Sequence, residues 1–185
     1  MIRAGNAGPG VVVADNVWLL PLKDLDGDAR AVKLGEIAGL EVSAEHRMFV
    51  GDPLRMALTG LAEDGRYPYV IDSDGTAVGV LTLQAGAATL AGWPDDHTAW
   101  LLRGFAIDRH RQGRGLGRIA AAKAVVAAAK LTAAHGRREA GVVLSVNEAN
   151  PAGLAAYRHA GFVDHGQYLG GTSGPQRIMY SRFTS

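Results

Sequence analysis

The chain has 185 residues, of which 48% are hydrophobic and 20% charged, which fits one globular domain and excludes a multidomain assembly or a disordered chain. It contains no cysteine, which excludes a disulfide scaffold, a thiolate zinc site, an iron–sulfur cluster and an acyl-cysteine intermediate. The net charge of +1 conceals an uneven distribution, with 7 basic and 14 acidic residues in positions 1–102 against 12 and 4 in positions 103–185.

Charge separated in this way predicts partners of opposite sign, an anion against the C-terminal half and a cation against the N-terminal half. The alternative is that both halves only solubilise one surface. Residues 1–14 are polar and glycine-rich and predict a poorly ordered leader without a signal peptide. The longest apolar stretch, residues 119–134, is interrupted by Lys123 and Lys130, so we expect a soluble, cytoplasmic single domain over 1–185 with no membrane contact.

In chain order, the first half predicts a strand, two helices and three strands. A short apolar run at 17–20 predicts the first strand, and helical spacing at 26–40 follows three candidate aspartate caps. Residues 43–51 predict a loop, and a helix at 53–61 begins with proline. The apolar runs 67–71 and 76–83 flank a turn at 72–75 and predict a hairpin, followed by a strand at 98–108.

The second half predicts a long helix at 116–135 that ends at Gly136. This helix has no clean polar face, so we expect it to be largely buried. A strand at 141–146 leads to a helix at 151–160 with Asn150 as its cap. Strands at 162–169 and 176–183 complete the order β-α-α-β-β-β-α-β-α-β-β, which predicts a mixed α/β layer fold.

The most informative segment is a glycine-rich turn between the strand at 98–108 and the long helix. Gly113, Gly115 and Gly117 alternate there, with Arg109, Arg111, Arg114 and Arg118 around them. Glycines allow bare N–H groups to face a ligand, and the helix N-terminus adds partial positive charge, so the segment predicts a site for an anion such as a pyrophosphate. The alternative is a plain connection with solvated arginines.

Two familiar phosphate motifs fit this segment poorly. A P-loop requires Gly-x-x-x-x-Gly-Lys-Ser/Thr, and the segment has no Lys-Ser/Thr pair. Residues 115–120 formally match the dinucleotide-binding Gly-x-Gly-x-x-Gly/Ala. However, they follow a late strand, and the next acidic residue, Glu139, has no preceding strand end to bring it to a ribose.

Residues 112–117, Gln-Gly-Arg-Gly-Leu-Gly, instead resemble the Gln/Arg-x-x-Gly-x-Gly/Ala signature of the GNAT superfamily of N-acetyltransferases. A second segment, residues 146–162, resembles that family's second motif, with Asn150, Tyr157 two helical turns later and a closing Gly161-Phe162. The resemblance extends from Trp18 to Phe183. It implies a mixed, mostly antiparallel sheet of about six to seven strands with helices on both faces.

The resemblance further implies acetyl-CoA as cosubstrate, no metal, and a homodimer. The coenzyme-binding residues that it implies are Phe105, Ala106, Ile107, Gln112, Gly113, Arg114, Gly115, Leu116, Gly117, Arg118, Asn150 and Tyr157. Residues 40–42, 45, 49–50 and 100–108 look closest to the diamine and polyamine acetyltransferases. Two departures stand out: Gly153 replaces a usual alanine, which we expect to be harmless, and Leu101 stands where several members carry a glutamate base.

With no cysteine, the acceptor amine is expected to attack the thioester directly. The resemblance assigns the alignment of the thioester, and the donors to its carbonyl oxygen, to the strand at Phe105–Ile107. Tyr157 is the candidate acid for the thiolate, because a phenol near pKa 10 can protonate it. The base stays open among Glu41, Glu45, His46, His97, His159 and a water chain.

Glu41 and Glu45 are the candidate acceptor-side carboxylates, because residues 24–52 hold 7 acids against 3 bases and would attract a cationic amine. Two other functions stay open: a catalytically silent sensor of CoA, and an N-acyltransferase acting on a protein N-terminus or an antibiotic. Nucleic-acid binding is not expected, because the basic residues cluster at the glycine turn without interleaved aromatics. The predicted partner is therefore a small amine.

Overall fold

The computed structural model describes residues 16–43, 47, 51–170 and 174–184. The strands are β1 (Val17–Pro21), β2 (Arg66–Ser73), β3 (Thr76–Gln84), β4 (Trp100–Ile107), β5 (Gly141–Asn147), β6 (Val163–Tyr168) and β7 (Gln176–Arg182). The helices are α1 (Gly27–Ala38), α2 (Pro53–Ala62), α3 (Leu116–Ala134) and α4 (Pro151–His159), with 3-10 turns at Ala88–Ala91 and Arg109–Arg111. Both 3-10 turns were absent from the predicted elements.

All seven described strands lie in one sheet, in the order β1-β2-β3-β4-β5-β7-β6. Every neighbouring pair is antiparallel except β4 and β5, which are parallel. The predicted mixed, mostly antiparallel sheet is therefore confirmed. The long crossover from β4 to β5 contains α3, as a parallel pair requires.

Three of the helices begin where a polar side chain accepts a hydrogen bond from the first turn. Asp26 accepts from the N–H of Ala29 at 2.8 Å, and Asp52 accepts from the N–H of Arg55 at 2.9 Å. Asn150 accepts from the N–H of Gly153 at 2.8 Å. Each cap satisfies a backbone donor that has no partner within its helix. Asn150 is the predicted cap of α4 and Asp26 is one of the three candidates for α1, whereas Asp52 was not among the predicted caps.

The hairpin between β2 and β3 is tighter than the predicted turn at 72–75. Ser73 pairs with Thr76, so only Asp74 and Gly75 form the connection, with φ of 54° and 82°. Positive φ at both positions is typical of a type I′ turn. Asp72 belongs to the strand, is 4% exposed, and accepts from Lys33 Nζ at 2.8 Å and from the N–H of Gly75 at 2.9 Å.

Helices cover both faces of the sheet, as predicted. On one face the alanines of α3 pack against β2, β4 and β5 in the larger core, together with Phe162 of the segment after α4. On the other face Ile37 of α1 and Ala57 of α2 pack against Val70, Val80 and Ala106. Burial of apolar surface on both sides stabilises the layered arrangement.

The expectation that α3 is largely buried is wrong. Its fully buried residues include a stripe four residues apart, Ala120, Ala124 and Ala128, while Val126 on the outer face is 55% exposed. Burial thus follows the period of an ordinary amphipathic helix. The sequence concealed it because alanine occupies both faces, so the hydrophobic pattern has little contrast.

The junction of β4 and β5 shapes the rest of the molecule. The two strands pair only through Trp100 with Val142 and Leu101 with Val143, and the pairing then stops. Farther along β4, two residues, Gly104 and Phe105, stand opposite the single Leu81 of β3, and Gly104 has a φ of 58°. This β-bulge bends β4 at the point where the two strands have separated, and the separation leaves an opening through the sheet.

Candidate functional site

A cleft of about 1220 Å³ occupies the opening between β4 and β5. Its lining includes the second half of β4, the end of β5, the glycine-rich turn before α3, one side of α4, and part of α2. The cleft therefore runs from the face of the sheet covered by α3 and α4 to the face covered by α2. A cleft of this size, formed where strands diverge, is the default location for a ligand site.

The glycine-rich turn lies at the mouth of this cleft and leaves its backbone open. Gly113 and Gly115 have φ of 76° and 77°, a region that L side chains rarely adopt. A Cβ built on either residue meets no atom within 4 Å, so the space above both glycines is free. Gly115 is the N-cap of α3 and supplies no side-chain acceptor, which leaves the first N–H groups of the helix available to an anion.

Side chains on both flanks hold the turn in this shape. Gln112 Nε2 donates to the carbonyl of Ile107 at 3.1 Å, so the glutamine closes the turn onto the end of β4. The Asp108 carboxylate accepts from the N–H of His110 at 2.8 Å and of Glu41 at 3.0 Å. The sequence did not single out Asp108, although an aspartate directly after a strand is a common turn residue.

The structure brings most of the predicted coenzyme-binding residues to the cleft. Those that line it are Phe105, Ala106, Ile107, Gln112, Gly113, Gly115, Leu116, Gly117, Arg118, Asn150 and Tyr157. Arg114 is exposed and is not part of the lining, whereas Arg111 of the same turn is. The two motifs, about 35 positions apart in the chain, therefore face one cavity.

Tyr157 projects from α4 into the cleft between two aromatic neighbours. Its ring is edge-to-face with those of Phe105 and Phe162, with centroids 5.7 Å apart in both pairs. Burial raises the pKa of the Tyr157 phenol above its ordinary value near 10. The raised pKa keeps the phenol protonated. Because the described part of the chain offers its hydroxyl no hydrogen bond, the hydroxyl is free to meet a ligand.

Asn150 caps α4, and its side chain lies close over Gly153. A Cβ on Gly153 would stand 2.6 Å from Asn150 Nδ2 and 2.9 Å from its Cγ, closer than real Cβ contacts. An alanine here would require the Asn150 amide to shift. Asp26 caps α1 over an alanine, Ala29, at the same position of that helix, so glycine suits the Asn150 cap but is not required for such a cap.

The candidate bases lie in different places. Glu45 and His46 are outside the described residues. Glu41 is exposed and does not line the cleft, because its Oε2 pairs with Arg109 at 2.7 Å beside the glycine-rich turn. His97 is exposed and also outside the lining, while His159 lines the cleft with its Nδ1 2.7 Å from the carbonyl of Ala155.

The charges around the cleft do not follow the separation seen along the chain. Asp52 is the one carboxylate in the described lining, and it caps α2. Other N-terminal acids are engaged elsewhere: Glu36 and Asp72 bind Lys33, and Glu63 binds Arg66 at 2.9 Å. The lining contains five arginines: Arg55, Arg66, Arg103, Arg111 and Arg118. Among the described residues, Glu41 therefore does not contribute to an acidic acceptor side, while Glu45 lies outside them and stays a prediction.

Several lining residues had no signal of their own in the sequence. Thr59, Arg66, Thr82, Tyr168 and Gln176 come from five different elements and meet only when the sheet forms. Among the described residues, no group of three or more His, Asp or Glu side chains is arranged to hold a metal ion. None of the described helices combines the length and the apolar character that crossing a membrane requires.

Comparison with known proteins gives two kinds of match. A family model described as the acetyltransferase (GNAT) family matches residues 50–162. Comparison with curated protein sequences finds no match. Among solved structures, spermidine N-acetyltransferase from Vibrio cholerae in complex with CoA and spermine aligns with a TM-score of 0.60 at 16% identity, covering 90% of this chain and 95% of that one.

A second solved structure, the aminoglycoside acetyltransferase AAC(6')-Ib in complex with paromomycin and acetyl-CoA, aligns with a TM-score of 0.63 at 15% identity. The alignment covers 90% of this chain and 92% of that one. At these sequence identities the two structural matches establish the fold alone. The residues matched by the family model include both motifs that line the cleft.

Proposed function

The chain belongs to the acetyltransferase (GNAT) family, and from this premise we propose that it transfers an acetyl group from acetyl-CoA directly to a primary amine bound in the cleft. The observation that carries the proposal is the turn at Gly113 and Gly115. It presents uncapped helix N–H groups at the mouth of an opening between two parallel strands. Such a turn suits the pyrophosphate of a coenzyme, and the opening suits its extended arm.

The residues present fit acetyl-CoA. The free space above Gly113 and Gly115 would receive the pyrophosphate, with Arg111 and Arg118 as nearby cations. When bound, acetyl-CoA supplies an activated acetyl thioester. Arg114 is the least supported of the proposed coenzyme contacts, because it is exposed and does not line the cleft.

β4 provides the backbone that orients the reacting group. Beyond Leu101, the edge of β4 that faces β5 has no strand partner, so peptide groups at Phe105–Ile107 can bind a ligand instead. The bulge at Gly104 fixes the direction of this edge. Backbone N–H groups held in this way stabilise negative charge that develops on a carbonyl oxygen, without reorganisation during the reaction.

Tyr157 is the proposed proton donor to the departing thiolate. Its raised pKa means that the Oη proton stays in place throughout the neutral range. The rings of Phe105 and Phe162 fix the phenol at the cleft wall. Proton transfer from a positioned side chain contributes about 10²–10⁴-fold to a rate.

The proton of the incoming amine needs a different acceptor. Leu101, at the position of the family's glutamate, is 5% exposed and belongs to an apolar cluster with Ala88 and Val143, so it offers no base. The described lining offers two titratable acceptors, Asp52 and His159. We propose that one of these, or water held beside it, removes the proton.

The test is an assay of CoA release from acetyl-CoA against amino acids, polyamines, aminoglycosides and peptides. Turnover with any amine supports the proposal, with the acetylated product identified by mass spectrometry. Binding of CoA without turnover on the whole panel would favour the sensor. Absence of both CoA binding and turnover would remove the proposal altogether.

The predicted homodimer stays a prediction. A solved spermidine N-acetyltransferase from Vibrio cholerae, aligned here at a TM-score of 0.56, is dodecameric, which describes that protein alone. Sedimentation at several concentrations will give the mass of this chain in solution, and a monomer or a larger ring would contradict the homodimer.

A further inference from the structure

The end of the cleft on the α2 face differs in charge from what a cationic acceptor requires. We call this the acceptor end and define it by Met56, Thr59, Arg66, Thr82 and Arg103, all of which line the cleft. It lies across the sheet from α3, whose N-terminus forms the proposed coenzyme site. A second substrate that meets the coenzyme inside the opening would therefore enter from this end.

Arg103 is the central cation of the acceptor end. It lies opposite Thr82 in the β3–β4 register, directly before the bulge at Gly104. Its side chain is half-buried, and one terminal nitrogen donates to Gln84 Oε1 at 2.9 Å. Within the part of the chain that the structure describes, no carboxylate forms an ion pair with this guanidinium. The glutamine therefore orients a charge that it cannot neutralise.

A second arginine raises the free-energy cost of holding the Arg103 charge in this half-buried place. Burial, and next the nearby charge of Arg66, lower the pKa of the Arg103 guanidinium, while Glu63 acts in the opposite direction. Glu63 is the direct partner of Arg66, with 2.9 Å between Oε2 and Nε. Two guanidinium groups thus share one carboxylate, and one positive charge is left over in a partly desolvated site.

A bound oxyanion would compensate this charge. A guanidinium presents paired N–H donors in a planar fork that matches a carboxylate or a phosphate. The hydroxyl groups of Thr59 and Thr82 line the same end and can donate to the same group. A polyamine would bring two or three further positive charges to this place, where the described lining holds five arginines against one carboxylate, Asp52, which already caps α2.

We propose that the acceptor is a small primary amine that also carries an oxyanion, a carboxylate or a phosphate, and that Arg103 is the residue that selects it. This inference rests on the proposed acetyl transfer and names the substrate class of the same site. Arg103 binds the oxyanion from the acceptor end, and the amine of the same molecule then points toward the edge of β4.

The experiment uses acceptors in matched pairs at saturating acetyl-CoA. One pair is an amino acid and its carboxamide, the other an aminoalkyl phosphate and the corresponding amino alcohol, and spermidine is added as the polycation. The amine of the carboxamide is less basic than that of the amino acid, so a larger fraction of it is unprotonated and able to react. This difference favours the carboxamide and therefore works against the expected result. We expect the member with the oxyanion to have a kcat/KM about 10- to 100-fold higher, the range of a charged hydrogen bond. The pair that shows the larger difference in kcat/KM between its two members tells whether the site selects a carboxylate or a phosphate.

Variants assign this preference to a residue. Arg103→Gln is expected to abolish the preference by lowering kcat/KM for the anionic member alone, and Arg103→Lys to retain part of it. Arg138→Gln, at an exposed arginine outside the cleft lining, is the control and should keep the full preference. Calorimetric CoA binding by each variant verifies that the fold and the coenzyme site are intact.

Each remaining outcome overturns a separate statement. If the parent enzyme prefers spermidine or the neutral members, the oxyanion acceptor is wrong while acetyl transfer stands. If the preference exists but survives in Arg103→Gln, the assignment to Arg103 is wrong. If no acceptor supports turnover, the proposed function itself fails. Should Arg103→Gln not fold, the preference of the parent and the behaviour of Arg103→Lys still decide.

Discussion

Gly104 of β4 and Met56 of α2 approach so closely that a Cβ on the glycine would stand 2.7 Å from the methionine sulfur. The glycine also has a φ of 58°, a conformation that costs other residues about 1–2 kcal/mol. Both conditions meet at the bulge that turns β4 away from β5. The α2 helix therefore packs directly against the backbone that defines the cleft.

Replacement of this glycine tests the relationship. Gly104→Ala should lower the free energy of unfolding by about 1–3 kcal/mol, from the positive φ and the collision with Met56. Because Met56 also packs against the second core, the same substitution is measured in a Met56→Ala background, where it should lose only the part that is due to the positive φ. Urea denaturation measures both. Gly35→Ala, inside α1 with no atom within 4 Å of the new Cβ, is the control and should stabilise by about 0.5–1 kcal/mol. An unchanged stability of Gly104→Ala would contradict this account.

Two variants of Gly115 separate the effect of side-chain charge on CoA binding from the effect of side-chain size. Gly115→Asp and Gly115→Asn impose the same side-chain size on the same positive φ, and both residue types tolerate it better than others. Because the aspartate would repel a pyrophosphate, we expect its Kd for CoA to be about tenfold or more above that of the asparagine variant. Calorimetry at fixed ionic strength measures the difference. Equal affinities for CoA would mean that the anion lies elsewhere.

Tyr157→Phe tests the proton donor. The phenyl ring keeps its contacts with Phe105 and Phe162, so the KM for acetyl-CoA should change little while kcat falls about 10²–10⁴-fold. Tyr67→Phe removes a hydroxyl that meets His135 at 3.3 Å outside the cleft, and its kcat should equal that of the parent. A kcat of Tyr157→Phe within about twofold of the parent would reduce Tyr157 to a packing residue.

Stability at high pH should depend on Tyr69. Burial, assisted by the charge of Asp24, raises the pKa of this phenol from 10.0 to about 12. The unfolded chain releases the proton from pH 10 upward while the folded chain retains it, so the free energy of unfolding falls between pH 10 and 12. The expected loss is about 2–3 kcal/mol. Tyr69→Phe should remove that part of the slope, as measured by urea denaturation from pH 8 to 12, and an identical slope in both proteins would refute the assignment.

The element order and most boundaries could be predicted because local signals mark them. Prolines mark the starts of α2 and α4, and the structure confirms Asn150 as the predicted cap of α4, while Asp52 caps α2 without having been predicted to do so. The glycine-rich turn and Tyr157 were likewise recognisable, because each belongs to a short motif with a fixed spacing.

The charge of the acceptor end could not be predicted in this way. Arg66 and Arg103 are 37 positions apart and meet only through the register of β2, β3 and β4. Glu63 neutralises one of them and Glu36 is bound to Lys33, so a count of acids along the chain gives no measure of the charge in the cleft. The composition of the chain limits the classes of partner to consider. The ion pairs that form in the folded structure determine which charges remain to bind one.

The brief pairing of β4 with β5 divides the backbone hydrogen bonds into two groups, a four-stranded sheet from β1 to β4 and a three-stranded sheet from β5 to β7. α3 contacts β1, β4 and β5 and so crosses the division. Two cooperative units joined by α3, by the 3-10 turn at Ala88–Ala91 and by one short seam should exchange their amide protons at different rates. A ligand held in the opening would couple them, and slower exchange in the outer strands, far from any contact with that ligand, would be the mark of this coupling.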